Sequence, residues 1–270
     1  DNDADDKCEL HVGEVYVGGN HAEMYCEGTM TFACSGGVDE IYGGSKQANF
    51  YHNVNMNITS GTYGKVFGGN NISGNVKGSI TVNIDETGCY PIMIGELYGC
   101  GNEAPYSVYG YNDNGSVKTE GEKVYADPTI NLISFTKIGK VFGGGLGETA
   151  VVYGNPIINI NPIKGKFAGD NIAPLFVLNA SNERAANTEA IDIPNAVGTI
   201  GTVYGGGNEA KVYVNTTINI ATEETNKHLT PDEAEDEEVD AIITGNVYGG
   251  GSMADVHGST NVTIGKEVAQ

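Results

Sequence analysis

Basic residues are scarce in this chain. Its 14 lysines and arginines stand against 35 aspartates and glutamates, and Arg184 is the single arginine. The resulting formal net charge of −21 repels phosphate backbones and anionic lipid. Because nucleic-acid binding depends on clustered Lys and Arg, the composition argues against a nucleic-acid partner, and it disfavours acidic polysaccharides for the same reason.

Tryptophan and long apolar runs are missing. No stretch of about 18 apolar residues occurs, so we expect no membrane span. The start of the chain is acidic rather than apolar, which fits either a cytosolic protein or an exported one whose signal was removed. Glycine, in contrast, is abundant at 40 residues and indicates many tight turns between short strands.

Metal-ligand spacings are missing as well. The five cysteines contain no C-x-x-C pair and the five histidines are dispersed, so we expect no zinc site. Buried thiols are the favoured interpretation of the cysteines. Disulfides are the alternative, with Cys89 and Cys100 as the closest plausible pair.

We expect no cofactor, and a calcium site is the alternative. Ca²⁺ takes six to eight oxygen ligands, and closely spaced carboxylates occur at Asp1, Asp3, Asp5 and Asp6. The acidic run inside 221–241 is a second candidate. Neither stretch matches the EF-hand loop, so free, mutually repelling carboxylates are the favoured interpretation.

A repeat dominates the rest of the sequence. A motif close to G-x-V-Y/F-G-G recurs, with a degenerate copy at Asp39, and an alternating run follows each copy. The copies begin at Gly13, Gly64, Gly95, Gly139, Gly201 and Gly245. In the alternating runs, the apolar pairs on one strand face are Met30/Phe32, Met56/Ile58, Val82/Ile84, Ile130/Leu132, Ile158/Ile160, Ile218/Ile220 and Val262/Ile264.

The repeat predicts the fold. Copies about 25 residues apart, each carrying period-two strands, indicate an all-β, single-stranded parallel β-helix (a β-solenoid) of about seven coils over 1–270. We expect a right-handed helix from the general bias of parallel crossovers. An N-terminal cap is expected at 1–12. Three insertions, 107–123, 162–196 and 221–241, interrupt the rhythm, and functional loops are commonly placed there.

The repeats at 201–210 and 245–251, which read G-T-V-Y-G-G-G-N-E-A and G-N-V-Y-G-G-G, resemble a known group. They are similar to those of large secreted or cell-surface proteins of gut anaerobic bacteria. The resemblance covers nearly the whole chain outside the insertions. It implies an adhesin-like or polysaccharide-binding protein in an extracellular or cell-surface location, and it implies no catalytic residues.

One aromatic residue occupies the same position in every repeat. Alternation places the preceding aliphatic residue inside and the ring outside, where a stacked ladder would offer a surface for sugar rings. The alternative, which we favour, is a purely structural role in which the rings pack on one another or under the insertions. These candidate ligand-binding residues are Tyr16, Tyr42, Phe67, Tyr98, Phe142, Tyr204 and Tyr248.

An asparagine row lies on the outer face of the alternating strands. Asparagine is ordinarily depleted in strands, so its recurrence needs a reason. Amide ladders between coils are the favoured explanation, and contact with a glycan is the alternative. The row consists of Asn57, Asn83, Asn131, Asn159 and Asn219.

Carboxylates recur at one outward-facing position of the repeat, but their pattern does not indicate a catalytic acid/base pair. Glu14, Glu40 and Glu96 align there, but Lys65 and Lys140 take the same position in other repeats, which is typical of a solvated face.

The favoured function is therefore a non-enzymatic surface or secreted protein that binds glycans or other extracellular macromolecules. The alternatives are a polysaccharide lyase or glycoside hydrolase of β-helix type, and a structural stalk. Further repeats or subunits stacking on the last coil are expected partners of a stalk.

Overall fold

The computed structural model describes residues 11–107, 127–160, 163–195, 197–221 and 241–265. These residues are all β and contain no helix. Consequently, no described segment is a helix long and apolar enough to cross a membrane. Asp1, Asp3, Asp5 and Asp6 lie outside the described residues, as do nearly all of the expected cap 1–12 and of the insertions 107–123 and 221–241.

Nineteen strands are described. In chain order they are β1 (Glu14–Tyr16), β2 (Gly28–Phe32), β3 (Glu40–Tyr42), β4 (Val54–Ile58), β5 (Thr62–Phe67), β6 (Ile80–Asp85), β7 (Met93–Tyr98), β8 (Thr129–Ser134), β9 (Lys137–Phe142), β10 (Ile157–Ile160), β11 (Asn171–Ile172), β12 (Phe176–Leu178), β13 (Arg184–Ala186), β14 (Ile191–Asp192), β15 (Thr199–Tyr204), β16 (Thr216–Ile220), β17 (Ile242–Ile243), β18 (Val247–Tyr248) and β19 (Thr260–Ile264).

Two parallel sheets contain most of these strands. The first sheet has the order β1-β3-β5-β7-β9-β15, and β17 and β18 both pair with β15. The second sheet has the order β2-β4-β6-β8-β10-β16-β19. The chain passes from a strand of one sheet to a strand of the other, so each strand pairs with its equivalents in neighbouring repeats. A third parallel line consists of single-residue bridges, Met24 to Phe50 to Val76 and Tyr106 to Val152 to Val212 to Val256.

The predicted strand register is confirmed. Asn83 pairs with Asn131 and Val82 with Ile130 in the second sheet, and Tyr98 pairs with Phe142 in the first. The apolar pairs of the middle repeats form the core, together with Ile41, Val66, Leu97, Val141 and Val203 of the first sheet. In the last repeat the pattern continues but the burial does not: Ile264 is 71% exposed because no described strand pairs with the far side of β19.

The glycine after each aromatic residue marks a close approach between repeats. A Cβ on Gly68 would lie 2.5 Å from the backbone oxygen of Gly99 and 2.6 Å from a methyl carbon of Ile80. The backbone N–H of Gly68 also donates to the backbone oxygen of Tyr98 in the next repeat, at 2.9 Å. Because turns at this position stack backbone on backbone, only glycine fits without displacing the neighbouring repeat.

The prediction of buried thiols holds for Cys100 but not for Cys26, Cys34 and Cys89. Cys34 and Cys89 form a disulfide, while Cys100 is a buried thiol and Cys26 an exposed one. The suggested pairing of Cys89 with Cys100 is therefore wrong. Cys34 and Cys89 follow β2 and β6 at the same corner of the stack, whereas Cys100 lies in the glycine turn after β7, inside the apolar core.

Candidate binding cleft

The predicted aromatic ladder is present. Successive rings from Tyr16 to Tyr248 stack with centroids 4.7–5.0 Å apart and interplanar angles of 2–12°. These rings form a cluster separate from the main core, on the opposite side of the first sheet from Ile41 and Leu97. Alternation thus predicts their side correctly.

The ladder is nevertheless largely covered. Tyr42, Phe67, Tyr98 and Phe142 are buried, and each ring covers the faces of its neighbours. Leu146 packs against the cluster. Burial raises the pKa of Tyr42 and Tyr98, and their hydroxyls donate to Glu40 and Glu96, respectively. The middle rings therefore offer no free face to a sugar, and among the ladder residues only Tyr248, at the end, is 45% exposed.

The asparagine row forms an amide ladder. Each Nδ2 group donates to the Oδ1 atom of the preceding repeat, at 2.9 Å from Asn83 to Asn57, 2.8 Å from Asn131 to Asn83, 2.9 Å from Asn159 to Asn131 and 3.0 Å from Asn219 to Asn159. All five side chains are half-buried. Because each amide is engaged by its neighbours, the row is a structural ladder between repeats.

Charges on the outer face of the first sheet pair along the stack. Lys65 contacts Glu40 at 3.3 Å, and Lys140 contacts Glu96 at 3.0 Å. The strand register places each of these lysines beside a glutamate of an adjacent strand. These pairs are partly exposed, so each contributes little stability, but together they fix a flat array of donors and acceptors.

The middle insertion folds onto this face. Its strands β12 and β13 form an antiparallel hairpin, here called the insertion hairpin, and β11 pairs with β14 at its base. The Asn179 side chain shapes the tip, because its Oδ1 accepts hydrogen bonds from the backbone N–H groups of Ser181 and Glu183, both at 2.9 Å. Thr62 of β5 donates its hydroxyl to the backbone oxygen of Phe176 at 2.8 Å, which fastens the hairpin to the first sheet.

Arg184 connects the insertion hairpin to the sheet. Its Nε atom lies 3.0 Å from Asp39 Oδ1, and its guanidinium stacks on the Phe176 ring, 4.0 Å from the centroid. The side chain is fully buried, and burial lowers its pKa, although a guanidinium keeps its charge. The contact with Asp39 is an ion pair without hydrogen-bond alignment, and neither Nη atom has a hydrogen-bond partner among the described residues. An unsatisfied buried donor costs about 1–3 kcal/mol, and more when it is charged.

A cleft of about 310 Å³ lies between the hairpin tip and the first sheet. Its lining combines four carboxylates with two cations and an amide. The lining residues are Asp39, Glu40, Gly64, Lys65, Glu96, Ser181, Asn182, Glu183 and Arg184. Such a lining offers hydrogen-bond donors and acceptors at close spacing, with an excess of negative charge.

A second cavity, of about 270 Å³, lies at the base of the insertion. Apolar residues such as Phe135 and Ile193 line it together with Glu86. The buried Glu86 carboxylate accepts hydrogen bonds from Ile92 N at 2.7 Å and Thr136 Oγ1 at 2.8 Å. Burial raises its pKa, although these donors and the backbone N–H of Phe167 oppose the change. Glu86 therefore joins Ile92 and Thr136 of neighbouring repeats beside this cavity.

Sequence reasoning missed an exposed aromatic row. Tyr25 stacks on Tyr51, and Tyr213 lies between Tyr153 and His257 with centroids 4.7 and 4.8 Å away. Each of these residues directly follows a residue of the third parallel line, the line of single-residue bridges. Their constant distance in sequence from the next strand could have predicted the row. Parallel stacking exposes the ring edges rather than the faces, so the row is a weaker platform for sugars than a lone aromatic ring.

The cleft draws on residues that the sequence did not bring together. Of its lining, Glu40, Lys65 and Glu96 come from the regular repeat, and Arg184 comes from the insertion. Within the described ranges, no group of three or more His, Cys, Asp or Glu residues is arranged to hold a metal ion. The chain matches no protein-family model, no curated protein and no solved structure.

Proposed function

We propose that the chain is a single right-handed parallel β-helix of seven coils that serves as a non-enzymatic, adhesin-like binding protein outside the bacterial cell. It binds a neutral glycan in the cleft under the insertion hairpin. The observation that carries this proposal is the open cleft under the hairpin, in which Glu40, Glu96 and Glu183 lie beside Lys65.

Support for the β-helix comes from the three parallel lines. Each repeat contributes one strand to the first sheet, one bridging residue and one strand to the second sheet, as a coil with three faces requires. Right-handedness follows from the general bias of parallel crossovers. The disulfide between Cys34 and Cys89 supports an extracellular or cell-surface location, because disulfides persist in oxidising compartments.

A neutral glycan suits the chemistry of the cleft. Sugar hydroxyls both donate and accept hydrogen bonds, so they match the carboxylates and the ammonium group of Lys65, which line the cleft side by side. The carboxylates outnumber the cations in the cleft, and the chain carries a net charge of −21, so an acidic polymer is repelled. The row of Glu and Lys side chains continues beyond the cleft along the first sheet, which gives a polymer a longer surface to follow.

A screen of neutral polysaccharides tests this function. The purified chain should bind at least one of mannan, galactan and β-glucan, with and without millimolar calcium. Glu183→Gln in the cleft should weaken binding about tenfold, the loss expected for one charge-assisted hydrogen bond. Glu189→Gln is the matched control, because Glu189 is an exposed glutamate of the same insertion that does not line the cleft.

Each hit should also be checked for released oligosaccharide. Binding without release supports the proposal. Release would replace it with the polysaccharide-degrading alternative, and an absence of binding to every glycan would replace it with the structural stalk.

A further inference from the structure

The apolar cavity at the base of the insertion is a site separate from the glycan cleft. It measures about 270 Å³ and shares no lining residue with the cleft. The cleft lies at the tip of the insertion hairpin and is lined mainly by charged side chains, whereas most of the cavity lining is apolar. The two sites therefore suit ligands of different chemistry.

Apolar side chains from two parts of the chain form the cavity walls. Val177 and Leu178 of β12 and Ile191 of β14 line it from the insertion, and Met93 and Phe135 line it from the repeats. The three insertion side chains are only half-buried, so part of their apolar surface is accessible. A pocket with mostly apolar walls and a few polar groups is the common form of a small-molecule site.

The charges of the lining leave no countercharge for an ionic ligand. Lys137 and Asp192 are exposed, with one charge of each sign. Glu86 is buried, and its carboxylate already accepts from the N–H of Ile92 and the hydroxyl of Thr136. An ion that moved from water to these apolar walls would lose its hydration without gaining a partner, which is costly. A neutral molecule avoids that cost.

The volume of the cavity sets the size of the ligand. An apolar cavity of about 150 Å³ is enough to bind benzene. The larger volume of about 270 Å³ has room for a molecule with a second fused ring. Asn195 and Thr199 in the lining supply an amide and a hydroxyl, which can orient one polar group of such a molecule.

We infer that this cavity binds a compact, neutral, apolar molecule of up to about two fused rings, whose body packs against Val177, Leu178 and Ile191. A carbohydrate does not suit the site, because hydroxyls on every side of its ring would face apolar walls. The inference adds a second ligand to the protein and does not rest on the proposed glycan binding.

Three naphthalene derivatives of the same shape test the ligand class. They are 2-naphthylmethanol, which is neutral, 2-naphthoate, which is an anion, and 2-naphthylmethylammonium, which is a cation. The chain contains no tryptophan, so fluorescence excited beyond the absorption of tyrosine comes from the probe alone. The alcohol should bind saturably at one site, and each ion should bind about tenfold more weakly or worse.

Methyl resonances locate the bound probe. In protein with labelled isoleucine, leucine and valine methyl groups, those of Val177, Leu178 and Ile191 should shift as 2-naphthylmethanol saturates the site. Val262 and Ile264, the exposed apolar side chains of the last repeat, should not shift. Saturable shifts at the last repeat with none at the cavity would overturn the inference.

Two alanine-to-leucine changes form a matched pair. Ala168 is half-buried and lines the cavity, so Ala168→Leu should fill part of it and weaken probe binding about tenfold. Ala173 is an exposed residue of the same insertion outside the cavity lining, and Ala173→Leu should bind the probe as the parent does. Hydrogen exchange of 163–195 shows whether the insertion stays docked. If Ala168→Leu undocks it, the methyl shifts of the parent decide.

The remaining outcomes are equally clear. No saturable binding of 2-naphthylmethanol, tighter binding of either ion, or an equal loss in the two docked leucine variants would each overturn the inference. None of these results bears on the glycan cleft, which is tested with polysaccharides. A protein that binds the probe but no polysaccharide would keep this inference and lose the proposed function.

Discussion

The backbone oxygen of Asn182, at the tip of the insertion hairpin, occupies the place of the missing side chain of Gly95. A Cβ atom built on Gly95 would lie 1.8 Å from that oxygen. Gly95 is the first glycine of a repeat motif, and it lies in β7 at the middle of the first sheet. The absence of a side chain there allows the hairpin to approach the sheet and form the roof of the cleft.

Gly95→Ala should therefore displace the hairpin tip. We expect a loss of about 1–3 kcal/mol in the free energy of unfolding, as for other overpacked sites, and a loss of glycan binding, both measured on the purified variant. Gly13→Ala is the matched control, because Gly13 has the same place in the first repeat and a Cβ atom there would have no other atom within 4 Å. Equal effects from both substitutions would contradict this account.

Asn131 lies in the middle of the amide ladder. Asn131→Ala leaves Asn83 Oδ1 without its donor and Asn159 Nδ2 without its acceptor. We expect a loss of about 1–2 kcal/mol in urea unfolding, with glycan affinity unchanged. The exposed Asn261, at the end of the second sheet, gives the control, and Asn261→Ala should change stability by less than about 0.5 kcal/mol. Lost binding at unchanged stability would instead identify the row as a ligand surface.

The aromatic ladder predicts a gradient of stability effects. Tyr98→Ala removes a fully buried ring between two stacked neighbours and should cost about 3 kcal/mol or more. Tyr248→Ala removes a half-exposed ring at the end and should cost about 1 kcal/mol. Thermal unfolding followed by far-UV circular dichroism measures both. If Tyr204→Ala with Tyr248→Ala weakens sugar binding while the spectrum stays unchanged, the ladder binds sugar after all.

Cys34 and Cys89 close a loop with a sequence separation of 55 residues. In the chain-entropy account, a loop of that size stabilises the fold by up to about 4 kcal/mol. Cys34→Ser with Cys89→Ser should lower the urea midpoint, and dithiothreitol should lower it in the parent but not in the double variant. Cys26→Ser is the control, because Cys26 is an exposed free thiol. A parent protein that is insensitive to reductant would rule out this disulfide as a stabilising link.

Glu86 predicts a pH dependence. Burial raises its pKa in the folded state above the ordinary value of 4.5. A raised folded-state pKa means that the contribution to stability is complete below pH 4.5 and is lost as the pH rises through the raised value. Glu86→Gln should therefore flatten the decline in unfolding free energy that follows as the pH rises above 4.5.

The measurement for Glu86 is a set of urea unfolding curves across that range, with hydrogen exchange of the 163–195 insertion as a local readout. Glu148→Gln, at an exposed position outside this cavity, is the control for removing one negative charge. Identical pH profiles in the parent and Glu86→Gln would show that the carboxylate does not titrate with folding.

The sequence by itself determined the repetitive part of this protein. Each strand pairs with its own equivalent in the next repeat, so a local pattern such as Asn83 between Val82 and Ile84 sets register, face and ladder at once. The stacked rings and the linked amides follow from position alone. Their burial does not, because covering side chains such as Leu146 come from turns whose direction the period leaves open.

The tertiary structure alone decided the cleft and the disulfide. Asp39, Gly95 and Arg184 are distant in sequence, and the insertion that supplies Arg184 has no second copy to compare with. Cys34 and Cys89 likewise meet across an intervening repeat. In a parallel stack, a short sequence pattern that recurs in every repeat determines how the repeats pair. The insertion hairpin docks through contacts that occur once. Such contacts leave no periodic pattern in the sequence.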